Sequence, residues 1–256
     1  MPDKHTSNIP LVAADASSMS PATVKIQSAP ESNRRPDPAT GGVDVRADGG
    51  APAGELDDFE HAAIGETFNR GMDRAAACLS EMTGSEISLS VPDLRILSRR
   101  DAAERLKADA EPDITGVKEL FCGAFHGSAM LLFPTRASFN LVRLLLKEAV
   151  PPIEYLTEME EEALLETGNI VLNACLGVIA EALRMEILNE VPHAVRGQAN
   201  QLLIPDDQLQ DDRVIQMNMD FGVDGVTVRG CLSMVLDITS LDHFRNRLAK
   251  HFGSAA

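Results

Sequence analysis

The sequence is short of the residues that build reactive centres. Its four cysteines, Cys78, Cys122, Cys175 and Cys231, stand far apart, and none falls in a C-x-x-C or other metal-ligand spacing. They read as buried free thiols, with Cys78 and Cys175 as small core residues of apolar helical stretches. The six histidines are equally scattered, so no metal site is expected. Basic residues are scarce too: 23 Lys and Arg against 39 Asp and Glu leave a formal charge of -16. That balance argues against nucleic acid as a partner and reads as a solubilising surface. No unbroken apolar run reaches the roughly 18 residues of a membrane span, and the N-terminus lacks the charged, apolar, small-residue order of a signal peptide. A cytoplasmic protein is expected.

What is present is an ordinary globular composition, 44% hydrophobic and 24% charged over 256 residues. It is unevenly spread. Residues 1–55 hold seven of the fourteen prolines and no Phe, Tyr or Trp. Such a segment cannot bury enough apolar area to offset its ordering entropy, and it reads as a disordered N-terminal tail. The folded domain is expected over 56–256.

Within that domain one unit occurs twice. Glu66-x-x-Asn69 followed by Pro92 recurs as Glu166-x-x-Asn169 followed by Pro192, every residue displaced by 100 positions. An E-x-x-N alone turns up by chance about once in several hundred positions. A second copy in the same frame, with its proline 23 residues downstream in both, marks a duplication with repeats at about 57–150 and 157–254.

The two halves read in parallel. Asp57 with Glu60, and Thr157 with Glu160, give capping-box starts to two long helices. Ile64, Phe68, Gly71, Met72, Ala75 and Leu79 fall on one side of the first helix. Leu164, Gly168, Val171, Leu172, Cys175 and Ile179 hold the same side of the second. A strand-like stretch follows each helix, 86–91 and 186–191, expected to end at the repeated proline. Two further strands and a closing helix complete each half: 116–124, 128–133 and 136–148, then 214–221, 226–235 and 241–252. The Gly127–Pro134 run matches Gly230–Asp237 at an offset of 103, with the three extra residues expected in the turn at Gly222–Gly225. The expected fold is α+β: a two-layer, pseudo-twofold domain with an antiparallel or mixed sheet and the long helices packed on one face.

On a helical wheel Ala62, Glu66, Asn69, Arg70 and Asp73 lie opposite the apolar stripe of the first helix, and Glu162, Glu166, Asn169, Ile170 and Asn173 opposite that of the second. Asn is disfavoured inside helices because its side chain competes for backbone hydrogen bonds, so its doubled presence calls for a reason. A solvated face that happens to hold two amides is the plainer alternative. The pair is unsuited to covalent catalysis, since Asn is neither nucleophile nor base and no His or Lys is placed to activate one. A carboxamide orients water, and a carboxylate pairs with a cation on a partner. Such a surface would complete another protein's active site.

The doubled motif, together with AAACLSEMTG at 75–84, ISLSVP at 87–92 and FCGAFHGSAMLLFP at 121–134, resembles the CheC/CheX/FliY phosphatases of bacterial chemotaxis, most nearly CheC. The resemblance spans about 56–252. It implies an aspartyl-phosphate phosphatase of two-component signalling that acts on a phosphorylated CheY-like response regulator. Asn69 and Asn169 would orient the attacking water, and Glu66 and Glu166 would contact the receiver's lysine. Arg70, Asp73, Glu162 and Asn173 would border the docked partner. The protein would need no cofactor of its own, because Mg²⁺ belongs to the receiver. A CheD-like deamidase is a further partner that the resemblance suggests. Where the family usually carries Asp or Ser four residues before the Glu, this chain has Ala62 and Glu162, and Arg70 follows Asn69 where the family has a small residue. The second pair is therefore expected to be the stronger. With no FliN-like module after Phe252, a CheC-like protein is expected rather than a flagellar-switch FliY. The alternative is a non-enzymatic adaptor that binds a receiver, a CheD-like deamidase or a flagellar-switch protein.

Overall fold

Thr157 starts the second long helix as its spacing predicts. Its hydroxyl accepts from the Glu160 backbone N–H at 3.2 Å, and the Glu160 carboxylate accepts from the Thr157 N–H at 2.7 Å. This computed structural model describes residues 58–109, 113–147, 156–204 and 212–252. Asp57, the expected partner cap, and the 1–55 tail lie outside the described residues. Glu60 instead meets Arg245, both carboxylate oxygens accepting at 2.7 Å. Glu160 has the matching partner Arg143, whose Nε donates at 3.3 Å.

The two long helices, α1 (Asp58–Thr83) and α4 (Glu158–Leu183), bury every apolar residue assigned to their inner faces. After α1 come β1 (Ile87–Ser98), α2 (Arg99–Asp109), β2 (Ile114–Gly123), β3 (Gly127–Pro134) and α3 (Thr135–Leu146). After α4 come β4 (Ile187–Asn189), β5 (His193–Gly197), α5 (Ala199–Leu203), β6 (Arg213–Val223), β7 (Val226–Leu236) and α6 (Ile238–Phe252). The strands form one antiparallel sheet in the order β1-β6-β7-β3-β2-β4, with β5 also on β2. That order is a palindrome of the two halves, joined at β3 and β7. The α+β fold with its long helices on one face is as expected.

The register shows how closely the halves match. Leu89 pairs with Phe221, and Asn189 with Phe121; past the proline, Asp93 pairs with Asn218, and His193 with Lys118. Each proline thus sits at the same one-residue bulge, where its missing N–H costs no ladder bond. In the second half the bulge separates β4 from β5. In the first, the strand expected to stop at Pro92 runs through to Ser98, because β6 continues to offer it partners. The turn reading is also corrected. β6 and β7 close through the two-residue Asp224-Gly225 turn, both with positive φ (48° and 83°), shorter than the connection at 124–126. The three surplus residues lengthen β7, at 11 residues against 8 for β3.

Two short helices were not expected. Ala102, Ala103 and Leu106 of α2 join Ala199 and Leu203 of α5 and Ile114, Met130, Val214 and Val235 of the sheet in a second core on the far face. The signal was present: the Ser98 hydroxyl accepts from the Asp101 N–H at 3.1 Å, a capping arrangement readable from the sequence. α4 is long and apolar enough to cross a membrane by length and composition, with a mean hydropathy of 1.6 over 18 residues, half of them buried. Its packing against α1 and β2 accounts for those residues as core.

Glu160 is 2% exposed, and the Thr157 backbone hydrogen bond, ahead of Arg143, holds its carboxyl below the usual carboxylate range. Its contribution is therefore present above the ordinary glutamate pKa and lost as pH falls through the depressed folded value. Glu160→Ala is expected to lower unfolding free energy by about 2–4 kcal/mol at pH 7, read by urea denaturation, with a smaller difference in acid.

Candidate functional site

α1 and α4 cross in close contact. A Cβ on Gly71 would come within 2.8 Å of the Cys175 Cα, so only glycine allows this approach. On α4, Gly168 performs the same service against Val117 of β2, whose side chain a Cβ would meet at 2.5 Å. With their inner faces fixed in this way, the helices turn their polar faces outward. Glu66, Asn69, Arg70 and Asp73 are exposed on α1; Glu162, Glu166 and Asn173 are exposed on α4, and Asn169 is half-buried. Each pair sits one helical turn apart on a rigid element, as the wheel predicted.

The surroundings of the two pairs differ. Beside the first, Arg74 makes a bidentate ion pair with Glu181 of α4 at 2.7 and 2.8 Å, and Arg70 adds its charge to the same carboxylate. Arg70 thus stands next to an acid instead of presenting an isolated charge. Beside the second pair, Glu162 and Glu166 border a groove of about 650 Å³ floored by Met82, Leu145, Leu146 and Met159. Lys147 also lines it.

Around Asn169 there is a row of carboxamides. Asn173 Nδ2 donates to Asn169 Oδ1 at 2.5 Å, and Asn189 Nδ2 of β4 donates to Asn173 Oδ1 at 2.5 Å. Asn169 Oδ1 keeps one lone pair, and its Nδ2 keeps two hydrogens, enough to hold a water in a set orientation. Next to Asn189 lies Glu119 of β2, with no exposed surface. Burial raises its carboxyl to about 7, opposed by the amide of Asn189, although neither oxygen meets a donor in hydrogen-bonding geometry. Sequence reasoning found Asn173 but missed Asn189 and Glu119. Setting the halves side by side would have exposed both, because the residues 100 positions away are Leu89 and Met219.

The thiols correct one expectation. Cys175 and Cys231 are buried, and burial pushes the Cys175 thiol to about 12, but Cys78 is exposed and Cys122 half-buried. Cys78 lies one turn beyond the exposed Arg74, outside the buried stripe.

No family model matches the sequence. Solved structures with this architecture include FliY of Thermotoga maritima, at 18% identity and TM-score 0.63, covering 77% of this chain and 98% of that one. The FliM middle domain from H. pylori matches at 11% identity and TM-score 0.55, over 75% and 99% of the two chains. A FliG-FliM complex from H. pylori matches at 13% and 0.54, over 75% and 100%. At such identities the likeness is one of fold. The protein has the architecture of FliY and of the FliM middle domain, and the resemblance to the CheC/CheX/FliY family read from its motifs is borne out at that level.

The raised carboxyl of Glu119 gives a pH prediction. The folded state favours its neutral form, so its contribution is full below the ordinary glutamate pKa and lost as pH rises through about 7. Between about pH 5 and 8, from near the ordinary glutamate value to just past about 7, the wild-type Tm should fall more than that of Glu119→Gln in parallel thermal melts.

Proposed function

We propose that this protein hydrolyses the aspartyl phosphate of a CheY-like response-regulator receiver in the cytoplasm. The observation that carries the reading is the same outward-facing Glu–Asn pair held twice on α1 and α4, over a sheet that fixes both helices. Docked on the receiver, the carboxamide of Asn169 or Asn69 holds a water in line with the phosphorus. The water oxygen bonds to phosphorus as the bond to the aspartyl oxygen breaks, releasing inorganic phosphate and a free carboxylate. Glu166 or Glu66 pairs with the receiver's lysine and fixes the docking geometry. The Mg²⁺ that neutralises the phosphoryl oxygens belongs to the receiver. Phosphoryl transfer depends on positioning and charge, so a surface without nucleophile or base suffices.

Two features favour the second pair as the stronger: its amide row pre-orients Asn169, and Glu162 keeps an acceptor where the first half has Ala62. A second reading, a non-enzymatic adaptor for a receiver or a flagellar component, draws on the fold shared with the FliM middle domain and on Arg70 beside Asn69.

The deciding experiment follows phosphate loss from a purified CheY-like receiver phosphorylated with acetyl phosphate. Asn169→Ala should reduce the acceleration by about 100-fold and Asn69→Ala by less. Binding without any acceleration would support the adaptor, and a larger loss for Asn69→Ala would reverse the ranking of the sites.

A further inference from the structure

The side of the sheet under α1 and α4 is apolar except at Thr115, which hydrogen-bonds Thr135, and at Glu119. Glu119 lies among Val117, Phe121 and Ala129 with 0% exposure, and neither oxygen has a hydrogen-bond partner among the described residues. A carboxyl in such a place disfavours the fold compared with an apolar side chain. Nor does the architecture require one. The register that pairs Leu89 with Phe221 and Asn189 with Phe121 makes Met219 the twofold equivalent of Glu119, and Met219 is itself 1% exposed. By the same relation Asn189 answers to the buried Leu89, and Asn173 to Asp73. One half carries a polar row where the other carries mostly packing.

The three amides of that row are linked. Asn189 stands opposite Phe121, on the face Glu119 shares, and reaches Asn173, which reaches Asn169. Carboxamides in a row are ambiguous by themselves, since each could exchange its oxygen and nitrogen and reverse every bond. The Glu119 carboxyl, left without a partner, supplies an acceptor at the inner end: one Asn189 Nδ2 hydrogen turned toward it and the other given to Asn173 Oδ1 leave Asn173 Nδ2 to donate to Asn169. Asn169 Oδ1 is thereby held toward Asn173 with one lone pair left for a water.

We propose that Glu119 is a positioning residue which, through Asn189 and Asn173, fixes the orientation of the Asn169 carboxamide and makes the second Glu–Asn pair the more active one. The inference rests on the reading of Asn169 as the water-orienting group, and its test separates the two. Glu119→Met gives the second half the residue of the first, and Asn189→Leu cuts the row at an exposed position should the core change disturb folding. The side-chain amide signals of Asn169 and Asn69 in ¹⁵N–¹H spectra of the full chain, assigned by their loss in the Asn→Ala variants, form the first readout. Turnover of an acetyl-phosphate-treated CheY-like receiver is the second.

Both variants should shift the Asn169 amide signals and leave those of Asn69 in place. They should lower kcat by about 10-fold with KM unchanged, while Glu119→Gln, whose amide oxygen offers Asn189 the same acceptor, stays within about twofold. Unmoved Asn169 signals in both variants would overturn the proposal, as would equal kcat losses for Gln and Met accompanied by a rise in KM. If Asn169→Ala itself leaves turnover intact, the phosphatase reading fails and the amide spectra alone decide the role of Glu119.

Discussion

Everything the protein presents to a partner depends on the close crossing of α1 and α4. Gly71 leaves room for the Cys175 backbone, and Gly168 lets α4 sit down on Val117. Contacts run from Arg74 with Glu181 at one end of the crossing to Met82 beside Ala163 and Glu166 at the other, an antiparallel arrangement. Because both helices are pinned along their inner faces, their outer faces have no freedom to rotate. The Glu–Asn pairs therefore occupy fixed positions, as the proposed water-orienting role requires.

The sheet beneath enforces the twofold relation. β3 and β7 join the halves, with Leu131 paired to Leu232, and outward from that seam the registers repeat down to the bulge at each proline. At the start of each long helix a buried glutamate meets an arginine from the closing helix of the other repeat, Glu160 with Arg143 and Glu60 with Arg245. Within this symmetric frame the departures stand out. Arg74 with Glu181 flanks one pair, while the amide row and Glu119 lie behind the other. The duplicated scaffold supplies two equivalent positions, and polar substitutions beneath one of them make the positions unequal.

Much of this was legible in the sequence because periodicity reports burial directly. The inner faces of α1 and α4 follow from a 3.6-residue apolar stripe, and the outward placement of Glu66, Asn69, Glu166 and Asn169 follows as its complement. β1 beyond Pro92 was not legible, since a proline ends a strand or sits at a bulge depending on whether the neighbouring strand continues. α2 escaped because Arg99–Asp109 is mostly charged, with Ala102, Ala103 and Leu106 as its buried apolar residues. Cys78 was misplaced because an apolar neighbourhood in the chain does not fix which side of the helix a residue occupies.

The sequence by itself determined the duplication, the α+β class and the residues that face solvent on the two long helices, because repeat spacing and hydrophobic period are properties of the chain. Only the tertiary structure decided which groups stand behind Asn169. Glu119, Asn173 and Asn189 come from β2, α4 and β4, and they meet because antiparallel pairing of β4 with β2 brings Asn189 under α4. No spacing along the chain encodes that contact, since it depends on register between strands far apart in sequence.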